Sequence, residues 1–251
     1  MSIGEIICIA LAGLAAGMIN TVVGSGTLIT FPVLLAFGYA PVTANVSNTI
    51  GLVPGSVSGA LGYRRELAGQ RARVLRLGTM SVLGGITGAV MLLVLPASAF
   101  KDIVPVFIAI ALLLTVLQPR LIRWLIKREI DLERRGGVLA PIAIYVTGVY
   151  GGYFGAAQGI LLLAILGVAL AQDLHRTNAL KNVLAGLVNG VAGVYFIFAA
   201  HVAWAPAAII AGGSILGAQL GARYGRRLAP GALRAIIVVV GVAAIVRLLT
   251  T

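Results

Sequence analysis

The chain has 251 residues, of which 60 % are apolar and only 10 % are charged, and its mean hydropathy is +1.05. This composition excludes an ordinary soluble domain and is typical of an integral membrane protein. The net charge of +12 does not indicate nucleic-acid binding, because the basic residues cluster in loops between apolar runs and not on one polar surface.

Continuous apolar runs follow one another along the chain and predict membrane helices. Many of the runs approach the roughly 20 residues that a helix needs to cross about 30 Å of hydrocarbon, and their continuity excludes the alternating strands of a β-barrel. The predicted spans are 3–22, 25–37, 43–63, 75–95 and 102–119 in the first half, and 138–156, 158–171, 177–199, 204–222 and 231–249 in the second. The expected fold is an all-α polytopic membrane protein with about five helices in each half.

The second segment of each half is too short to cross a bilayer comfortably. Residues 25–37 reach only about 20 Å as a helix, and they follow a glycine-containing interruption in the stretch INTVVGSGTLITFP. Short or half-spanning helices are therefore expected after Asn20–Gly24 and after Phe154–Gln158. Non-helical backbone at membrane depth is tolerated only inside protein or beside a water-filled cavity, so we expect both interruptions to be buried.

The two halves also match each other in sequence, which predicts an internal duplication. TANVSNTIGLVPGSVSG aligns with TNALKNVLAGLVNGVAG and superposes Asn48 on Asn182, LGGITGA aligns with LGAQLGA, and the two interruptions align with Gly24 on Gly159. These matches keep one order and a nearly constant offset, which duplication explains better than chance. The predicted organisation is a first repeat at 1–119, a linker at 120–137 and a second repeat at 138–251, within one transmembrane domain.

Positive charge predicts how the two repeats are oriented, because Lys and Arg stay preferentially on the cytoplasmic side of a membrane. One orientation places every basic residue except Lys101 and Arg247 on that side. In this orientation the spans 43–63 and 177–199 cross in opposite directions, so the repeats are inverted. The linker at 120–137 is then expected in the cytoplasm, and the N- and C-termini outside.

The two interruptions are the predicted substrate site. Paired, glycine-broken segments at matching places of inverted repeats are typical of the binding site of a secondary transporter. A half-helix that begins near Gly24 presents free amide groups and a positive dipole end, both of which suit an anion. The predicted substrate-binding residues are Asn20, Gly24, Ser25, Gly26, Thr27, Asn48, Gln158, Gly159, Lys181 and Asn182.

These residues also have purely structural interpretations. Glycine and hydroxyl residues permit close packing of membrane helices, and the two aligned asparagines, Asn48 and Asn182, equally suit interhelical hydrogen bonds. Lys181 lies about one turn inside its helix, where it either faces a cavity or extends its ammonium to the cytoplasmic surface. The sequence leaves these alternatives open.

The acidic residues limit the mechanism. All seven Asp and Glu lie at the ends of apolar segments or in loops, which disfavours a proton pathway through a buried carboxylate and a cation pore lined by acidic rings. An anionic substrate fits better. Neither a catalytic set nor metal-ligand spacing occurs within the spans, so we expect no enzymatic activity, no metal and no cofactor.

Five stretches of the chain carry a resemblance to a known family: AAGMINTVVGSGTLITFPVLLAFG, ANVSNTIGLVPGSVSGALGYRRE, LGGITGA, GVYGGYFGAAQGILLL and TNALKNVLAGLVNGVAG. In these stretches the sequence resembles the sulfite exporter TauE/SafE family, also described as sulfonate uptake permeases, over nearly its whole length. The resemblance implies transport of sulfite, sulfoacetate or a related sulfonate across a bacterial inner membrane. Ser25 and Gln158 stand where glycine is more usual in the family.

Two other functions fit the same residues. One is a passive anion channel, and the other is a membrane subunit that serves as a scaffold for a redox or metal-handling partner. The expected partners are a small anion and the lipid bilayer, and nucleic acid is not expected. The coupling ion, proton or sodium, and the formation of a homo-oligomer are left open.

Overall fold

The computed structural model describes residues 1–127, 137–170, 172–224 and 230–250. Within these ranges the chain is entirely helical, without a strand, which confirms the all-α polytopic fold. The helices are α1 (Ile3–Val22), α2 (Thr27–Ala36), α3 (Pro41–Gly62), α4 (Arg71–Val94), α5 (Ala97–Lys127), α6 (Leu139–Tyr153), α7 (Gln158–Ala169), α8 (Leu174–Ala199), α9 (Trp204–Tyr224) and α10 (Pro230–Thr250).

The helix lengths divide the described helices into long and short elements. Five of them, α1, α4, α5, α8 and α9, contain stretches long and apolar enough to cross a membrane. Helices α2 and α7 have 10 and 12 residues, which correspond to about 15 and 18 Å and fall short of the bilayer core of about 30 Å. This confirms the predicted short helix in the second position of each half.

The predicted boundaries differ most from the observed ones at α4 and α5, and α5 also begins at Ala97 and not at 102. Helix α4 begins at Arg71 and not at 75, and α5 continues past 119 to Lys127, into the predicted linker. The prediction ended each span where the apolar run ended, but Arg and Lys are good helix formers and extend a helix beyond the hydrocarbon. The predicted linker at 120–137 is otherwise mostly outside the described residues.

Helix pairings in one half recur in the other. In one set of contacts, α9 packs against both α1 and α3, and α2 lies beside α10. In the matching set, α4 packs against both α6 and α8, and α7 lies beside α5. The matching motifs explain two of these pairings: Gly221 of LGAQLGA lies against Met18 of α1, and Gly88 of LGGITGA lies against Val149 of α6. Small residues at such crossings let membrane helices approach closely.

The equivalent helices α3 and α8 contact each other and run antiparallel. Ser56 lies beside Gly186, whereas Val53, nearer the start of α3, lies beside Gly193, nearer the end of α8. Equivalent antiparallel helices are related by rotation about an axis perpendicular to them, as inverted repeats require. This pattern supports the repeats at 1–119 and 138–251, which stay a prediction, as does the side of the membrane on which the termini lie.

Candidate functional site

The break between α1 and α2 is a tight turn held by its own backbone and by Asn20. Gly24 has a φ of 92°, a left-handed conformation that glycine adopts without strain. Its amide donates a hydrogen bond to the carbonyl of Ile19 at 2.9 Å. The amide of Gly26 then donates to Asn20 Oδ1 at 2.7 Å. Asn20 therefore reaches across the break and satisfies one of the free amides at the start of α2.

The break between α6 and α7 repeats this backbone geometry. Gly155 has a φ of 77°, and its amide donates to the carbonyl of Tyr150 at 3.0 Å. Gly155 is therefore the structural counterpart of Gly24, and the sequence alignment, which placed Gly24 on Gly159, was displaced by four residues. The glycine pattern alone does not distinguish these registers, because both residues are glycine and each lies beside the break.

The two breaks touch each other backbone to backbone. The amide of Gly159, at the start of α7, donates to the carbonyl of Gly24 at 3.1 Å. A Cβ atom at Gly159 would lie 2.5 Å from the Cα of Gly24, and no real side chain tolerates that approach. The absence of a side chain at both positions brings the first turn of α7 onto the end of α1.

Polar side chains from α8 converge on the end of α1. Lys181 Nζ donates to the carbonyl of Asn20 at 2.8 Å and to that of Thr21 at 3.4 Å. The Nδ2 atoms of Asn178 and Asn182 also donate to the Thr21 carbonyl, at 3.1 and 3.3 Å. Carbonyls in the last turn of a helix lack helical partners and carry the negative end of its dipole, so a cation and amide donors stabilise them.

Lys181 is 1 % exposed, so its ammonium lies in the protein interior and does not extend to the surface. The desolvation of a buried ammonium is costly unless partners compensate for it. The carbonyls at the end of α1 are its hydrogen-bond partners. The sequence left open whether Lys181 faces a cavity or reaches the cytoplasmic surface, and in the structure it faces the cavity.

A cavity lies where the two breaks and α8 meet, with a volume of about 30 Å³, enough for one or two water molecules. Among the described residues that line it, Lys181 is the one basic side chain and no carboxylate is present. Gln158 Nε2 is buried here without a hydrogen-bond partner in the described part of the chain. The lining residues are Asn20, Thr21, Gly24, Thr27, Ser56, Gly59, Gly155, Gln158, Gly159, Lys181, Asn182, Ala185 and Asn189.

Aromatic side chains pack beside the second break. The rings of Phe31 and Phe154 meet edge to face with centroids 5.2 Å apart, and Phe100 lies 6.0 Å from Phe154. The hydroxyl of Tyr150 donates to the carbonyl of Ala156 at 2.5 Å. Edge-to-face pairs of this kind add roughly 0.5–1.5 kcal/mol each beyond the burial of their area. The second break is thus held largely by apolar packing.

The family model described as "Sulfite exporter TauE/SafE" matches residues 9–248, which is most of the chain. The chain belongs to the sulfite exporter TauE/SafE family. This confirms the resemblance seen in the sequence and makes the protein a multi-pass membrane transporter by family.

Curated relatives agree with this membership. The chain is 28 % identical over 228 residues to "Probable membrane transporter protein YfcA" of Escherichia coli strain K12, a match that covers 90 % of this chain and 82 % of that protein. It is 28 % identical over 244 residues to "Probable membrane transporter protein ORF9" of Sinorhizobium sp., covering 95 % and 90 %. A probable membrane transporter protein of Haemophilus influenzae is 26 % identical over 211 residues. No solved structure matches the chain.

The structure of this TauE/SafE member brings seven of the ten predicted site residues to the cavity. Three do not line it. The Oγ atom of Ser25 is buried without a partner in the described part of the chain, and the amide of Gly26 is already bonded to Asn20. Asn48 accepts a hydrogen bond from the hydroxyl of Thr30. The residues predicted from the sequence that line the cavity are Asn20, Gly24, Thr27, Gln158, Gly159, Lys181 and Asn182.

The sequence-based site list missed six lining residues, which are Thr21 in α1, Ser56 and Gly59 in α3, Gly155 in the second break, and Ala185 and Asn189 in α8. Asn189 follows Asn182 by seven residues and Ala185 follows Lys181 by four, and these helical spacings place all four side chains on one face of α8. That periodicity was available in the sequence. Ser56 and Gly59 had no comparable signal, because α3 has several small residues on more than one face.

Proposed function

We propose that this TauE/SafE member is a secondary transporter that moves a small sulfur-containing or organic anion, such as sulfite, sulfoacetate or a related sulfonate, by alternating access. The observation that carries this proposal is the charge of the cavity. Its described lining contains one buried ammonium, from Lys181, and no carboxylate. A site of this charge favours an anion, since the anion offsets the cost of burying the ammonium.

The donors at the cavity suit a sulfonate or sulfite group. Hydrogen bonds from an ammonium to an anionic oxygen are roughly twice as strong as neutral ones, and Lys181 Nζ already lies 2.8 Å from an oxygen, the carbonyl of Asn20. Gln158 Nε2 is buried and free of a protein partner in the described ranges. The amides of Asn182 and Asn189 also line the cavity and add donors around the other oxygens of the anion.

The size of the cavity supports alternating access. A volume of about 30 Å³ admits one or two waters but not a sulfonate with its carbon chain. Binding therefore requires that the helices around the crossing move apart. Broken helices at the interface of inverted repeats are elements that move in secondary transporters, and the contact between Gly24 and Gly159 is the place where such movement enlarges the cavity.

The purified protein in liposomes tests this function. We expect saturable uptake of labelled sulfite or a sulfonate, accelerated by unlabelled anion on the opposite side, and none in liposomes without protein. Electrical recording separates the alternatives: many ions per opening indicate a passive anion channel. A chain that neither binds nor moves any anion of the panel indicates a scaffold for a partner protein.

A further inference from the structure

We propose that the Lys181 ammonium occupies a cation site at the end of α1, as a tethered substitute for a coupling sodium ion. Transport by this protein is then independent of sodium. The role in coupling rests on the anion transport proposed above. The cation site itself rests on where Nζ lies and on the oxygens that surround it.

The end of α1 presents two backbone carbonyl oxygens of the kind that coordinate sodium in other transporters. In secondary transporters with broken helices, carbonyls at the end of a half-helix coordinate the coupling cation. Here the carbonyls of Asn20 and Thr21 lie 2.8 and 3.4 Å from Lys181 Nζ. The ammonium thus lies against the oxygens that a coupling cation uses in such transporters.

A further oxygen stands beside these carbonyls. Asn178 is 8 % exposed, and its Nδ2 donates to the Thr21 carbonyl at 3.1 Å. Its Oδ1 is buried without a hydrogen-bond partner in the part of the chain that the structure describes. Backbone and amide carbonyl oxygens are hard ligands of the kind that small hard cations prefer. Lys181 Nζ bonds the two backbone carbonyls and not Asn178 Oδ1. Removal of the lysine side chain would leave the two carbonyls without their ammonium, with the free Asn178 oxygen on the neighbouring turn of α8 as a further ligand for an incoming cation.

The second break, at the end of α6, lacks a counterpart of this cation. The alignment that superposes Asn48 on Asn182 places Ser47 at the position of Lys181, and the Ser47 hydroxyl accepts from the amide of Ala203 at 2.9 Å. The end of α6 is capped instead by Asn45, whose Nδ2 donates to the Tyr153 carbonyl at 2.9 Å. The described lining of the cavity therefore carries one basic side chain, whose ammonium form balances one monovalent anion.

Thermal unfolding of the purified protein, without any substrate anion, tests the cation site. Midpoints are compared in sodium chloride and choline chloride for the wild type, Lys181→Ala and Lys101→Ala, an exposed lysine at the start of α5. We expect sodium to leave the wild type and Lys101→Ala unchanged. Sodium at a hundredfold excess over its Kd should raise the midpoint of Lys181→Ala by roughly 5 °C or more.

Two results overturn the inference: a sodium-dependent rise of the wild-type midpoint, or a folded Lys181→Ala protein without one. If Lys181→Ala does not fold, Lys181→Gln replaces it, because its amide donates to the same carbonyls and also offers an oxygen, and the same sodium response is required of it. Since no anion is present, this outcome is independent of whether the proposed anion transport holds. Sodium-dependent anion flux by the wild type would overturn the coupling role alone.

Discussion

The two breaks have the same backbone conformation and differ in the side chains that surround it. Each turns through a left-handed glycine, Gly24 or Gly155, whose amide bonds the fifth residue before it. The first break is surrounded by the ammonium of Lys181 and by amide side chains, whereas the second is packed against aromatic rings. Two breaks of the same backbone geometry thus lie in different environments, and the polar one contains the basic side chain of the cavity.

The difference has a physical consequence for ligand binding. Hydrogen bonds from an ammonium to carbonyls can be exchanged for hydrogen bonds to an anion, because both partners are oxygen acceptors. Close-packed aromatic rings such as Phe31 and Phe154 offer no comparable exchange, and their edge-to-face contact leaves no room for a ligand. We therefore expect the anion beside Lys181 and the first turn of α7, where donors line the cavity, and not among the aromatic rings at the second break.

The crossing that both breaks share should be the most sensitive point. Gly159→Ala places a Cβ 2.5 Å from the Cα of Gly24, and we expect a cost of about 3 kcal/mol or more, seen as loss of monodisperse protein or a much lower unfolding midpoint. Gly190→Ala is the matched control, since nothing lies within 4 Å of its added Cβ. Equal unfolding midpoints for Gly159→Ala and Gly190→Ala would contradict the close backbone contact between Gly24 and Gly159.

The polar side of the comparison depends on Lys181. Lys181→Met removes the ammonium and keeps most of the side-chain volume. We expect anion flux at subsaturating concentration to fall roughly 10- to 100-fold, because a hydrogen bond to a charged group contributes about 1.5–3 kcal/mol. Lys101→Met, at an exposed position, should transport normally. Equal anion flux by Lys181→Met and Lys101→Met would show that Lys181 does not bind the anion.

A smaller effect is expected at Gln158, the first residue of α7, which lines the cavity beside the crossing of the two breaks. Gln158→Met should raise the KM for the anion about three- to tenfold, the value of one neutral hydrogen bond, without lowering the unfolding midpoint, because Nε2 has no protein partner to lose in the described ranges. Gln118→Met is the control: Gln118 is also buried with an unpartnered amide oxygen, but it does not line the cavity. A lowered midpoint with an unchanged KM would make Gln158 structural.

The smallest change in stability is expected among the aromatic side chains at the second break. Tyr150→Phe loses the hydrogen bond to the Ala156 carbonyl, which is worth about 1 kcal/mol or about 2–4 °C in the unfolding midpoint. Tyr153→Phe loses none, because its hydroxyl has no partner in the described part of the chain. Neither variant should change the KM. A changed KM in either one would place the substrate nearer the second break than proposed.

The fold was largely predictable because the length of an apolar run indicates whether it forms a membrane helix. The short helices α2 and α7 were predicted for the same reason, since their runs were too short to cross. The end of α5 at Lys127 was not, because helix propensity and hydropathy diverge once a helix leaves the hydrocarbon.

The sequence predicted the lining of the candidate site at the two glycine-containing breaks and on one face of α8. Lys181 and Asn182 belong to one face of α8, and both line the cavity. The roles of Gly26 and Asn48 depend on which side chain from another segment reaches them, Asn20 for the first and Thr30 for the second. Spacing along the chain does not contain that information, so the sequence assigned both to the site although neither lines the cavity.

A structure of the protein with a transported, bromine-labelled alkanesulfonate tests the central claim most directly, because the bromine marks the ligand by anomalous scattering. We predict the sulfonate within hydrogen-bond distance of Lys181 Nζ and Gln158 Nε2, in an enlarged cavity at the crossing of Gly24 and Gly159. Ligand bound only elsewhere, for example in the second cavity lined by Arg73 and Arg76, with the crossing unoccupied, would contradict it.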